Sequence, residues 1–216
     1  MKRSLWGALL LAASLAPAHA QTQEELNKDG RGGSTDNVLT YGMGYHQQRY
    51  SPLNKINKGN VKRLVPVWSA STGADTGEQG QPFVYNGVIY TANVKQVVAV
   101  DVATGRQLWN FGLEWDPAVP RVVCCGLNNK GVALYDGKIY VSALDAHVYA
   151  LDAKTGKQVW KSKIAEWKEG YSITSAPSVV NGIVMSGMTG GEFGVRGFVV
   201  GLSLIHISEP TRRRGI

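Results

Sequence analysis

The sequence predicts an all-β fold, a β-propeller with tryptophan-motif blades, and three observations predict it. The segment from Tyr85 to Trp109, YNGVIYTANVKQVVAVDVATGRQLW, is echoed from Tyr135 to Trp160 by YDGKIYVSALDAHVYALDAKTGKQVW, and the two tryptophans lie 51 residues apart. A repeat of this period marks blades or another stacked array. Asn86-Gly87 and Asp136-Gly137 are tight-turn dipeptides, each followed by a short β-branched and aromatic run. Glycine is plentiful, with 26 residues, whereas runs of helix-forming residues are scarce.

Taken in order, the chain opens on Lys2 and Arg3, an apolar stretch from Leu5 to Leu15, and Ala18-His19-Ala20. This is the layout of a cleavable signal peptide over residues 1–20, with Gln21 as the first mature residue and the periplasm as the expected destination. The apolar run is shorter than the roughly 20 residues that span a bilayer. Of the formal charge of +7, the leader holds two and the far tail a net two more, so the body between them is only mildly basic. No basic stripe appears, and a nucleic-acid partner is not expected.

The propeller portion is expected over residues 21–202. Leu64-Val65-Pro66-Val67-Trp68 reads as an early, partial copy of the repeat, and Asn181-Gly182-Ile183-Val184 with Phe198-Val199-Val200 as a third copy. Within each full copy the turn Asp-x-x-Thr-Gly precedes the last strand. There the aspartate can accept from nearby backbone N–H groups, and the glycine can take positive φ. Each unit is a small antiparallel sheet that cannot bury its own faces, so Trp109 and Trp160 are expected to pack between blades. After Leu202 the repeat calls for Asp-x-x-Thr-Gly, but the chain reads Ser203-Leu204-Ile205-His206-Ile207. Residues 203–216 resemble a translated sequencing adapter and are read as a non-native tail, so His206 is not taken as catalytic. His46 and His147 lack metal-ligand spacing and are read as surface or strand residues.

Two blocks carry the chemistry. Cys124 and Cys125 are the only cysteines and are adjacent. Neighbouring Cα atoms lie about 3.8 Å apart, below the roughly 4.4–6.8 Å usual for a disulfide, so the residues alone leave open a strained bond or two reduced thiols. Glu192, in Gly190-Gly191-Glu192-Phe193-Gly194-Val195-Arg196-Gly197, is by itself a solvated loop acid, a partner for Arg196, or a ligand.

Together these blocks resemble those of PQQ-dependent (quinoprotein) alcohol and methanol dehydrogenases, and the resemblance runs from about Asn37 to Gly201. It implies an eight-bladed ring, of which roughly the first three blades are present. It implies that Cys124 and Cys125 form a disulfide covering one face of pyrroloquinoline quinone (PQQ). Lys130 stands where the family usually has an arginine, keeping the charge but losing the planar fork. Thr174 matches a hydroxyl that bonds a cofactor carboxylate, and Thr189, Gly190 and Gly191 match a loop beside the cofactor. Glu192 matches a carboxylate ligand of calcium or a lanthanide. Gln79 aligns with a cofactor-contacting glutamate, and a one-residue slip would put Glu78 there instead.

The implied activity is oxidation of a primary alcohol, with hydride passing to the quinone and electrons leaving to a cytochrome c or another periplasmic acceptor. The family's catalytic residues fall beyond this sequence, so no catalytic residue is assigned and the chain alone is expected to be inactive. The competing readings are a non-enzymatic propeller scaffold of the outer-membrane assembly type and an inactive homologue. Such scaffolds carry the tryptophan repeats without the Cys-Cys and Gly-Gly-Glu blocks. The departures at Lys130 and Gln79 are what suggest the inactive homologue.

Overall fold

The computed structural model describes residues 21–32, 34–74, 78–123, 126–204 and the backbone of 211–214. The leader lies outside the described residues. Three antiparallel sheets follow one another along the chain. The first blade comprises β2 (Phe83–Tyr85), β3 (Val88–Ala92), β4 (Gln96–Asp101) and β5 (Gln107–Gly112), and it follows a short strand, β1 (Glu78–Gln81). The second comprises β6 (Asn129–Tyr135), β7 (Lys138–Ser142), β8 (His147–Asp152) and β9 (Gln158–Lys163). The third comprises β10 (Ser178–Val180), β11 (Ile183–Gly187), β12 (Phe198–Ser203) and β13 (Thr211–Arg214). In each blade the strands pair in sequence order, as a meander does. The sheets form an arc of blades, and the ring is not closed.

The sequence repeat returns as a repeat of register. Tyr90 faces Ala99, which faces Trp109, and Tyr140 faces Ala150, which faces Trp160. Both blades carry an irregularity at the same rung, between Ala99 and Val100 and between Ala150 and Leu151. The first hairpin of each blade turns on two residues of positive φ, as a two-residue type I′ turn requires: Asn86-Gly87 at 47° and 77°, Asp136-Gly137 at 49° and 67°, Asn181-Gly182 at 48° and 73°.

The cores lie between blades, where the repeat predicts them. One cluster joins Tyr90, Val97 and Ala99 of the first blade to Leu134, Ile139 and Leu151 of the second. Another joins Tyr140, Val148 and Trp160 of the second to Val184 and Val200 of the third. Each face is apolar because its neighbour removes it from water, the largest favourable contribution available to such a sheet.

Two features depart from the sequence reading. Leu64 to Trp68 forms no strand, and Val65 and Val67 are 75% and 86% exposed, so of this early copy only Trp68 plays the repeat's part. Pro66 lacks an N–H and could not complete a ladder there. Residues Gln23–Gly30 form a helix, α1, opened by a capping box in which Thr22 Oγ1 accepts from Glu25 N and Glu25 Oε2 accepts from Thr22 N. His147 is a strand residue, as expected, at the start of β8, and its Nδ1 lies 2.9 Å from the buried Asp145 carboxylate. In addition, Thr211–Arg214, within the stretch read as non-native, supply the outer strand of the third sheet.

Candidate cofactor end of the arc

The inner strands of the three blades begin side by side at one end of the arc. β1 runs parallel to β6, with Glu78 opposite Asn129 and Gln81 opposite Gly131, so Gln79 and Lys130 lie on adjoining stretches of backbone. On the other flank of β6, Lys130 N donates to the Thr174 carbonyl at 3.0 Å. The approach on the β1 side is close enough to exclude side chains. A Cβ on Gly131, whose φ is 119°, would sit 3.1 Å from the Gln81 carbonyl oxygen, and one on Gly80 would sit 2.7 Å from that of Ala92. Glycine at both positions therefore permits the packing of neighbouring inner strands.

Thr174 connects onward to the glycine-rich loop. Ser172 and Thr189 form an antiparallel bridge with N···O distances of 3.2 and 2.8 Å. The Thr189 hydroxyl donates to the Ser172 carbonyl at 2.9 Å and lies 2.7 Å from the Ser172 hydroxyl. Gly190 follows at a φ of 128°, where a Cβ would fall 2.1 Å from the Gly170 carbonyl oxygen, so no other residue fits. A single turn, Gly191–Phe193, then presents Glu192 exposed. An unbroken path of backbone contacts thus runs from Gln79 through Lys130 and Thr174 to Thr189, Gly190, Gly191 and Glu192. Cys124 and Cys125 lie outside the described residues, a few positions before Lys130.

Polar groups at this end divide into engaged and free. Glu78 accepts from the Thr72 hydroxyl and from Asn93 Nδ2, which ties it to the first blade. The side chains of Gln79, Lys130, Thr174 and Glu192 make no hydrogen bond or ion pair among the described residues. One more group is conspicuous: Asn128 is buried, and its Oδ1 has no partner among the described residues. Buried polar atoms are nearly always paired, so an orphaned acceptor two residues before Lys130 suits a polar occupant. Sequence reasoning passed over Asn128, Asn93 and Ser172. Asn128 stands inside the cysteine block, and that was the signal available for it.

The comparisons with known proteins follow this geometry. A family model described as the β-propeller domain of glucose, ethanol and alcohol dehydrogenases, labelled PQQ, matches residues 39–196. The chain belongs to this family. It is 44% identical over 196 residues to a quinoprotein alcohol dehydrogenase, PedH, of Pseudomonas putida, covering 88% of this chain and 31% of that protein. It is 40% identical to a 1-butanol dehydrogenase (quinone) of Thauera butanivorans, covering 87% and 32%. Among solved structures, a europium-containing methanol dehydrogenase superposes with a TM-score of 0.78 at 38% identity, covering 84% of this chain and 32% of that one. The chain therefore spans about a third of the length of the relatives it matches, and its three blades are part of a PQQ-dehydrogenase propeller.

Proposed function

We propose that this chain supplies one wall of the cofactor site of an exported PQQ-dependent alcohol dehydrogenase whose remaining blades lie outside this sequence. The observation that carries this reading is the path linking Gln79, Lys130, Thr174 and Glu192 at one end of the arc, with all four side chains free of other partners among the described residues. Lys130 gives a cation and Thr174 a hydroxyl for a carboxylate-bearing cofactor, and charge-assisted hydrogen bonds of this kind are the strong ones. Gln79 adds an uncharged donor and acceptor. Gly190 and Gly191 keep the loop free of side chains that would fill the space beside a flat ring. Glu192 provides a hard oxygen ligand, suited to calcium or a lanthanide rather than to a soft metal.

Bound there, the quinone supplies a hydride acceptor for a primary alcohol, and the metal ion supplies a Lewis acid at its carbonyl. The chain's own residues hold and orient that pair, and Cys124 and Cys125 are assigned to the cofactor's face. The base that accepts the alcohol proton, and the contact to a cytochrome c or other periplasmic acceptor, fall to the absent blades. Export by the signal peptide over residues 1–20 places the enzyme in the periplasm.

Calorimetric titration of the full-length protein with PQQ, with and without calcium, tests the proposal. Quinone binding is expected to tighten when calcium is present, Lys130→Ala to weaken it in either condition, and Glu192→Ala to abolish the calcium dependence. A full-length protein that binds no quinone, or a Glu192→Ala variant with undiminished calcium dependence, would overturn the reading.

A further inference from the structure

The segment that opens the described chain binds all three blades at their first hairpins. The Gln21 carbonyl accepts from Asp136 N at 3.1 Å and its Oε1 accepts from Gly137 N at 3.3 Å, both on the second blade. Its backbone N donates to the Tyr85 hydroxyl of the first blade at 3.4 Å, and that hydroxyl donates to Glu25 Oε1 at 3.1 Å. Gln23 Oε1 accepts from Asn181 N of the third blade at 2.7 Å. Gln21 is only 1% exposed, yet its Nε2, with two N–H bonds to place, has no partner among the described residues. Primary amides are seldom buried half-used, because the stranded donor keeps its full desolvation cost.

From this we infer that Gln21, freed by leader cleavage after Ala20, is cyclised to pyroglutamate before it docks. The inference goes beyond the cofactor reading and depends only on the cut position. In the reaction the α-amine nitrogen attacks Cδ. The N–Cδ bond forms, the Cδ–Nε2 bond breaks, and Nε2 leaves as ammonia with the proton the α-amine gives up. No oxidant or cofactor is needed. The product is a neutral lactam with one N–H, the former Oε1 as its ring carbonyl, and the main-chain carbonyl.

Those three groups match the three partners in place: the Tyr85 hydroxyl, Gly137 N–H and Asp136 N–H. The unmodified residue fits poorly on each count. A free α-ammonium would bring three N–H bonds and a charge to a buried position where, among the described residues, only the Tyr85 hydroxyl accepts from this nitrogen and the Glu25 carboxylate lies beyond it, engaged by that hydroxyl and Thr22 N, and a buried charge without a direct partner is costly. The side-chain amide would keep its two unpaired N–H bonds. Gln21 also has a φ of 58°, a region disfavoured by contact between Cβ and the flanking peptide groups. A residue with no preceding carbonyl escapes that conflict, which accords with the cut after Ala20 on which cyclisation depends. Cyclisation has to precede docking, since the docked residue is closed to water and to any cyclase.

The test uses the complete protein exported with its own leader and read by peptide mass spectrometry and Edman sequencing immediately after isolation. The expected N-terminal peptide begins at residue 21, is lighter by one ammonia than the unmodified peptide, and yields to sequencing only after pyroglutamyl aminopeptidase treatment. The blocked fraction should be complete at the first time point, and Gln21→Ala should give an N-terminus that sequences directly. A free Gln21 amine in the folded protein overturns the inference, as does a blocked fraction that grows during handling. An N-terminus at another residue overturns it too, and shows that the cut position was what failed.

Discussion

Trp109 and Trp160 occupy the same rung of successive blades, each beside a tyrosine at nearly the same geometry. The ring centroids are 6.0 Å apart at 43° for Tyr90 with Trp109, and 5.9 Å apart at 41° for Tyr140 with Trp160. Around Trp109 the socket is finished by the next blade. The Trp109 indole N–H donates to the Ala153 carbonyl at 3.0 Å, the Tyr90 hydroxyl donates to the same oxygen at 3.3 Å, and the ring lies on Gly156, where a Cβ would come within 2.6 Å of it. Trp68 meets the first blade in the same way, through the Val102 carbonyl at 2.9 Å and over Gly105. Around Trp160 the socket is unfinished. Among the described residues, its Nε1 and the Tyr140 hydroxyl are both buried and both lack a partner. By register, Ser203 stands where Asp101 and Asp152 stand, and Leu204 where Val102 and Ala153 stand. The Leu204 backbone N–H still makes the equivalent rung, to the Gly182 carbonyl at 3.3 Å, but its carbonyl receives neither donor. The pair shows that one carbonyl, held by an Asp-x-x-Thr-Gly corner, satisfies two buried donors of the preceding blade. A tryptophan in this repeat is therefore completed by the blade after its own.

The largest effect expected from this comparison is loss of a finished socket. Trp109→Ala removes a half-buried ring and both of its contacts to the second blade, and should cost about 3 kcal/mol, near the low end for such truncations. Urea unfolding followed by circular dichroism measures it. A cost below about 1 kcal/mol, the size of a single hydrogen bond, would mean that blade-to-blade docking does not depend on this residue. The next effect has the opposite sign. Replacing Ser203, Leu204, Ile205, His206 and Ile207 by Asp, Ala, Lys, Thr and Gly gives the third blade the corner of the second. If the acceptor returns, two buried donors are satisfied together and stability should rise by about 2 kcal/mol. The same graft in a Trp160→Phe, Tyr140→Phe background should gain little. Equal gains in both backgrounds would assign the effect to the loop itself.

Much of this architecture was legible in the sequence, because it is written in residues whose conformational demands are local. Asn86-Gly87 and Asp136-Gly137 fix their turns by tolerating positive φ, and the spacing of Trp109 and Trp160 fixes the blade. Two readings failed for identifiable reasons. The run Leu64 to Trp68 has the composition of a strand, but a strand needs a partner, and this one meets none among the described residues. Helix α1 was legible in the capping pair Thr22 and Glu25, three residues apart, but its eight residues carry no apolar periodicity strong enough to stand out ahead of an all-β repeat. The candidate site was legible only through family resemblance. The hydrogen bond from Lys130 to Thr174 and the bridge from Ser172 to Thr189 join positions far apart in sequence, and neither composition nor periodicity encodes such a meeting.

A finer comparison isolates a single hydrogen bond. Trp→Phe removes the indole N–H at either position and trims the ring similarly. At Trp109 it breaks a bond to Ala153, whereas at Trp160 it deletes a donor that was already unpaired. Trp109→Phe should therefore cost about 1 kcal/mol more than Trp160→Phe in the same urea assay. Equal costs would show that the Trp160 indole finds a partner in solution.

The smallest effect concerns the corners themselves and depends on pH. The Asp152 carboxyl is held below the usual carboxylate range, first by the Thr155 hydroxyl and then by the N–H groups of Thr155 and Lys154, with burial opposing them. Asp101 is lowered in the same way by the hydroxyl and N–H of Thr104. A carboxyl depressed in the folded state binds its proton more readily when unfolded. Its stabilisation is therefore present above the unfolded value, about 3.9, and is lost as the pH falls through the lower folded value. The third blade, with Ser203 at this position, contributes no such dependence. Unfolding midpoints measured from pH 6 downward should decline below about pH 4, and the decline should be shallower in an Asp101→Asn, Asp152→Asn variant, whose amides still accept from the threonines but no longer titrate. If both proteins lose stability along the same curve, the acid sensitivity resides in other carboxylates, of which Glu166, lowered by its contact with Lys163, is the next to substitute.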